Sequence, residues 1–169
     1  MKLVMINGPS CVGKSTTVQG VMESVENYYK LSGDHQKWMF SKYHRDIHKE
    51  DTARLLRAIA REICEMKYKI ICDSALYRKN REALLEIARS YGYEIIEINL
   101  EADYDLLAQR FDERIAEAAV KKVRYSNTSK EIWKDLYNIY QEQKNPAAIT
   151  LYTDKETKEQ VIEKVLKLL

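Results

Sequence analysis

The sequence predicts an α/β fold of three layers, a five-stranded parallel sheet with helices on both faces. Three observations predict it. Apolar runs of strand length alternate with helical stretches along the whole 169 residues. The segment Gly8-Pro9-Ser10-Cys11-Val12-Gly13-Lys14-Ser15, which fits G-x-x-x-x-G-K-[ST], stands between the first strand-like run and the first helical one. Polar or acidic residues follow the strand-like runs, at Asn7, Asp34, Asp73 and Thr153. In a parallel sheet those positions share one edge, where ligands bind.

The elements follow in order. Lys2 to Asn7 is a short buried strand. After the loop, Val18, Val21, Met22 and Val25 recur at i, i+3, i+4 and i+7, so Thr16 to Val25 reads as a helix. Tyr28 to Ser32 is a second strand, ending at Gly33-Asp34. Residues His35 to Lys49 are polar and aromatic and resist division. A helix capped by Asp51 or Thr52 carries Leu55, Leu56, Ile59 and Ile63 on one face. Lys69 to Asp73 is a buried strand closed by an acid. Asn80 to Tyr91 is a helix stopped by Gly92, and Tyr93 to Leu100 is a strand. Asp103 opens a helix with Leu106, Leu107, Phe111 and Ile115 inward. Ala118 to Asn127 is basic, with Lys121, Lys122 and Arg124. Thr128-Ser129-Lys130-Glu131 is a capping-box pattern before a helix bearing Trp133, Leu136, Tyr137 and Tyr140. Pro146 precedes the strand Ala148 to Tyr152. Thr153 to Glu156 repeats the capping-box pattern, and a last helix carries Val161, Val165 and Leu168.

No repeat, linker or low-complexity segment divides the chain, so residues 1–169 are expected to form one domain. The net charge of +2 disfavours a strongly basic nucleic-acid binder and leaves room only for a local basic cleft. No apolar run is long enough to span a bilayer, no leader peptide is expected, and no membrane partner is expected. Cys11, Cys64 and Cys72 lack metal-ligand spacing; the last two read as small core residues, and Cys11 as an oxidation-sensitive loop position. The reducing cytoplasm is the expected location.

The loop carries most of the chemistry. Gly8 and Gly13 permit a backbone path that a Cβ would block, so that successive N–H groups converge on a phosphate at the start of a helix. The expected phosphate-contacting set is Gly8, Pro9, Ser10, Cys11, Val12, Gly13, Lys14, Ser15 and Thr16. Lys14 supplies a cation for the β- and γ-phosphates, and the Ser15 hydroxyl is a hard oxygen ligand for Mg²⁺. His44 and His48 stand at i, i+4 without a third ligand, which favours a surface helix over a metal site. Trp38, Met39, Phe40 and Tyr43 either line an acceptor pocket or fill core.

On these residues the chain resembles the small P-loop kinases of the nucleoside-monophosphate-kinase fold, in particular polynucleotide 5′-hydroxyl kinases and chloramphenicol phosphotransferase. The likeness runs through almost all residues as an order of motifs: the loop, Cys72-Asp73-Ser74-Ala75-Leu76 before a helix, Tyr93 to Leu100, and Leu106-Leu107-Ala108-Gln109-Arg110. It implies a P-loop kinase fold with a lid at approximately 110–127. Asp34, after the second strand, sits where these kinases orient or deprotonate the acceptor hydroxyl; a helix-capping aspartate is the alternative. Lys37 stands where polynucleotide kinases carry an Arg, which weakens bidentate phosphate recognition. Asp73 either helps to hold Mg²⁺ with Ser15 or caps the next segment. Arg110 and Arg114 fit L-x-x-R-x-x-x-R, in which the first Arg packs on adenine and the second reaches the transferring phosphate. The alternative is a solvated face paired with Asp103, Asp112 or Glu117. Arg124 would belong to the lid's second basic cluster.

The resemblance implies an ATP- and Mg²⁺-dependent kinase acting on a hydroxyl of a small molecule. Lys14, Asp34 and Arg114 would be catalytic, with Asp34, Lys37, Trp38 and Arg124 at the acceptor. A 5′-hydroxyl nucleic-acid end, or a nucleoside or nucleotide, is the rival acceptor. A nucleotide-dependent switch is the rival of another class, although no N-K-x-D guanine-recognition sequence is present.

Overall fold

The computed structural model describes residues 1–73, 78–121 and 129–169. Five strands form one sheet in the order β2-β3-β1-β4-β5: β1 Lys2–Asn7, β2 Tyr28–Leu31, β3 Lys69–Cys72, β4 Glu94–Glu101 and β5 Ile149–Tyr152. Every neighbouring pair is parallel, with Leu3 opposite both Ile70 and Ile95, Tyr29 opposite Ile70, and Leu100 opposite Leu151. The three-layer α/β expectation is met.

Alternation along β1 builds two cores, because successive side chains leave opposite faces. Leu3 and Met5 join Leu31, Ile70 and Cys72 under two helices, α3 (Arg45–Glu65) and α4 (Arg78–Ser90). Val4 and Ile6 join Ile71, Ile98, Leu100 and Leu151 on the other face. That face is covered by α1 (Lys14–Met22), α5 (Tyr104–Lys121), α6 (Lys130–Gln143) and α7 (Lys158–Leu166). There Trp133 stacks on Phe111 at 5.5 Å and both are almost fully buried. A short α2 (Gly33–Trp38) leads from β2 and packs on α3. No helix among the described residues is long and apolar enough to cross a membrane.

Several element boundaries move. The first helix stops at Met22, short of Val25. α3 begins at Arg45, not at Asp51 or Thr52. Thr52 is buried inside it and donates its hydroxyl proton to the His48 carbonyl at 2.7 Å, so it is no cap. The N-terminus is closed instead by His48, whose Nδ1 accepts from the His44 N–H at 2.9 Å. Leu55, expected inward, is 40% exposed, while Leu56, Ala60, Ile63 and Cys64 make the buried stripe. Starting six residues earlier did not change the face; the period selects Leu56 over its neighbour.

The capping boxes also shift. α6 is capped by Ser129, which accepts from the Ile132 N–H at 3.3 Å, with Glu131 on the serine hydroxyl. α7 is capped by the reciprocal pair Thr157 and Gln160, four residues beyond the expected Thr153–Glu156 pattern. Gly92 does stop α4: at φ 74° its N–H reaches the Arg89 carbonyl at 2.9 Å.

The orientation of α3 can be checked by urea unfolding. Leu56→Ala should cost about 2–5 kcal/mol through the cavity it leaves, and Leu55→Ala should stay within about 0.5 kcal/mol. Equal losses would mean that the helix is rotated from the face described.

Candidate functional site

Because all five strands run the same way, their carboxyl ends form one edge. The loop from Gly8 to Gly13 leaves β1 at its middle. A Cβ on Gly8 would lie 2.7 Å from the Leu100 carbonyl oxygen and 2.7 Å from Val12 Cγ1, so only glycine fits against β4 there. Val12 is fully buried in the core under α1, which pins the loop. Cys11 takes φ 70° and Gly13 φ 98°, turning the chain into α1 without a capping side chain. The first N–H groups of α1 therefore face the loop's hollow with Ser15 and Thr16 exposed beside them.

Lys14 folds back into this hollow. Its Nζ donates to the Gly8 carbonyl at 2.9 Å and the Pro9 carbonyl at 2.7 Å. Burial lowers its pKa to about 8, partly offset by Asp34, Asp73 and Cys11 and reinforced by Arg114. The cation is thus held in an unfavourable place, with two carboxylates within electrostatic reach. An anion in the loop would relieve that cost.

Asp34 is the second residue of α2. Ser32 occupies the N-cap, so the helix-capping alternative for Asp34 is not what is found. Its exposed carboxylate accepts from Lys37 Nζ at 2.5 Å. Partial desolvation by the surrounding cleft pushes its pKa up although its surface stays open to solvent, but Lys37, Lys14 and Arg114 together outweigh that and hold it below the usual value. Lys37 therefore serves the acid itself rather than standing free.

Asp73 is buried just past β3 and pairs with Lys30 Nζ of β2 at 3.5 Å. The segment that follows Asp73, residues 74–77, lies outside the described residues, and the described part of α4 starts at Arg78. Lys30 had not been singled out in the sequence, although a lysine inside the strand run Tyr28-Tyr29-Lys30-Leu31 was the available signal. Among the described residues no three His, Cys, Asp or Glu side chains gather as a metal cluster. Ser15 and Asp73 are hard oxygen donors of the kind Mg²⁺ takes, since that ion usually uses one or two side chains and completes its shell with phosphates and water.

The two arginines of α5 turn to the same edge. Arg114 Nη2 donates to Ser10 Oγ at 3.1 Å, with its guanidinium 5.7 Å from the Phe111 ring. Arg110 donates to the Thr153 carbonyl at 3.3 Å and approaches its hydroxyl at 3.4 Å. The acids proposed as alternative partners have other roles: Asp112 binds Lys130, Glu117 binds Lys121, and Asp103 accepts from the Asp105 N–H at 2.9 Å. Thr153, expected on this edge and in a capping pattern, is the residue that holds Arg110 beyond β5.

Trp38, Phe40 and Tyr43 belong to neither core. They form a ring group with His48 between α2 and α3, and Trp38 stays 41% exposed. Arg124 and Lys122 lie outside the described residues, as does the part from 122 to 127 of the lid expected at approximately 110–127.

A family model for an AAA domain matches residues 3–136. Among curated proteins none matches the sequence. Solved structures match nearly the whole chain. A candidate kinase of Chloroflexus aurantiacus is 19% identical, covers 99% of this chain and 98% of its own, and gives a TM-score of 0.73. The Mycobacterium tuberculosis APS kinase, solved with AMPPNP and APS, is 18% identical over 99% and 96%, with a TM-score of 0.66. A gluconokinase of Sinorhizobium meliloti is 14% identical over 98% and 90%, with a TM-score of 0.66. The fold is therefore that of small P-loop kinases.

The depressed Lys14 pKa has a measurable consequence. A bound triphosphate favours the charged lysine, so binding should take up protons where free Lys14 is partly neutral. Calorimetry in buffers of different ionisation enthalpy should give roughly half a proton at about pH 8 and more at about pH 9.5, with ATP affinity falling as pH rises. No uptake and a flat affinity across that range would contradict the assignment of Lys14.

Proposed function

From the premise that this chain belongs to the AAA domain family, we propose that it is an ATP- and Mg²⁺-dependent kinase for a hydroxyl of a small molecule. The observation that carries the proposal is the position of Asp34. It stands beyond the phosphate loop, at the end of β2, within the electrostatic field of both Lys14 and Arg114. A nucleotide switch needs the loop; it does not need a second acid facing the loop from the acceptor side.

Each group then has a distinct task. The loop N–H groups and the α1 N-terminus bind the phosphates. Lys14 exchanges the Gly8 and Pro9 carbonyls for β- and γ-phosphate oxygens, which recovers the desolvation cost of its charge. Ser15 and Asp73 would hold Mg²⁺, which when bound supplies positive charge to the β- and γ-phosphate oxygens. Arg114 lies on Ser10 of the loop and is drawn onto the transferring phosphoryl group, while Arg110, beside Thr153, covers the nucleotide end.

Asp34 accepts a hydrogen bond from the acceptor hydroxyl and points its oxygen at the phosphorus. Its pKa lies below the ordinary carboxylate range, so it is ionised at neutral pH and orients the hydroxyl more than it pulls off the proton early. That suits phosphoryl transfer, in which the nucleophile's proton is lost late. Residues 110–127 would act as a lid, excluding water that competes for the phosphoryl group. The likeness of fold to an APS kinase solved with AMPPNP and APS and to a gluconokinase supports a small-molecule acceptor.

The test is transfer of labelled γ-phosphate from ATP to a panel of hydroxyl metabolites, nucleosides and 5′-hydroxyl oligonucleotides. Asp34→Asn should slow transfer about 10²–10⁴-fold while ATP affinity barely changes. Arg114→Ala should reduce transfer more than ATP binding, and Arg110→Ala the reverse. ATP hydrolysis that no acceptor redirects, and that Asp34→Asn leaves intact, would return the protein to the switch class.

A further inference from the structure

β2 is an edge strand, and a lysine on an edge strand ordinarily turns to water as a guard against pairing with other chains. Lys30 does not. It stands opposite fully buried Ile71 of β3, and only 21% of its side chain is exposed. Side chains two apart on a strand leave the same face, so Lys30 shares the face of Tyr28, which packs against the second core. Its Nζ reaches along that face to Asp73 Oδ2 at 3.5 Å. The Asp73 N–H also donates to the Leu31 carbonyl at 3.3 Å. Backbone and side chain thus both tie Asp73 to β2.

The Asp73 side chain is only 5% exposed, so its carboxylate has lost most of its water and needs nearby positive charge. Two lysines supply it. Lys30 is the direct partner, and Lys14 acts through its field. A nucleotide treats the two differently. Lys14 lies in the loop and would turn to the phosphates, whereas Lys30 belongs to the edge strand and has Asp73 as its ion-pair partner. A divalent ion arriving alone would therefore have to shed water and share Asp73 with a cation already on it. An ion arriving on a triphosphate brings phosphate oxygens with it and asks less of the acid.

We propose that Lys30 is the resident counter-cation of Asp73: it holds the acid in place before nucleotide binds and keeps it from taking a lone divalent ion, so that the metal enters with the nucleotide. This rests on the reading that Ser15 and Asp73 serve Mg²⁺, and Lys30 is a positioning residue within it.

The probe is Mn²⁺, followed by electron paramagnetic resonance on the full chain without nucleotide. Lys30→Gln should bind Mn²⁺ about tenfold more tightly than wild type, as removal of one nearby positive charge implies. Lys30→Arg keeps the charge and should stay near wild type. In an Asp73→Asn background the exchange of Lys30 for Gln should no longer matter, which a merely structural role for Lys30 would not predict. If Lys30→Gln is unfolded because its acid is left unpaired, millimolar Mn²⁺ should restore the circular dichroism of the folded chain. Equal Mn²⁺ affinity in wild type and Lys30→Gln, an effect that persists in Asp73→Asn, or an unfolded variant that Mn²⁺ does not restore overturns the inference. The metal reading is tested separately, with a non-hydrolysable ATP analogue present. Weaker Mn²⁺ binding in Asp73→Asn upholds that reading whatever Lys30 does, and unchanged binding overturns both.

Discussion

The approach of Gly8 to the end of β4 is the contact on which the rest of the site depends. With no side chain, its Cα can lie where a Cβ would be 2.7 Å from the Leu100 carbonyl oxygen. The chain then has room to curl, to bury Val12 in the core and to turn at Gly13 into α1. A larger residue would push the loop off β4, pull Val12 from its pocket and swing the first N–H groups of α1 away from the hollow. The anion cradle is therefore an extension of the hydrophobic core, and packing of Val12 holds it together with the bonds of Lys14 and Arg114 to the loop.

Electrostatics around that cradle are arranged in balance. Lys14 is partly buried and its charge is disfavoured there, yet Asp34 and Asp73 keep the cost from growing. Asp73 is itself matched by Lys30, and Asp34 by Lys37. Each acid thus has a cation from its own or a neighbouring element, and each can be shifted toward a ligand without leaving an unpaired buried charge. Arg110 and Arg114 extend the pattern from α5, held by a threonine and a serine on the sheet edge. The uncharged oxygens of Thr153 hold the Arg110 guanidinium more weakly than a carboxylate would, so it is restrained but available to phosphate.

Most of the fold was legible in the sequence because its signals are short-range. Two-residue alternation in β1 and the buried run of β3 specify strands, and the loop motif fixes the junction with α1. Element starts were less legible. Asp51 and Thr52 look like caps, but the stretch from Arg45 already has helical neighbours to pack on, and the actual cap at His44 and His48 has no ordinary sequence mark. The pattern at Thr153–Glu156 was outcompeted by Thr157 and Gln160, since Thr153 is held by the Glu101 carbonyl and by Arg110. Within the site, the positions of Lys14, Asp34 and Asp73 could be read from strand ends. The pairings of Asp73 with Lys30 and of Arg110 with Thr153 could not, because contacts across strands depend on the order β2-β3-β1-β4-β5, which the sequence does not spell out. The alternation of Glu97, Asn99 and Glu101 with Ile96, Ile98 and Leu100 in β4 also went unread. Those polar residues anchor the end of α6 and the turn after it through Tyr140, Lys144 and Asn145.

The claim that a nucleoside triphosphate occupies this edge is tested most directly by mapping backbone amide shifts by NMR during titration with Mg-ATP. The account predicts saturable shifts concentrated at Gly8 to Thr16, with smaller ones at Asp34, Asp73, Arg110, Arg114 and Thr153, and little change on the far edge of the sheet. Shifts that cluster away from the loop, or none at millimolar Mg-ATP, would contradict it.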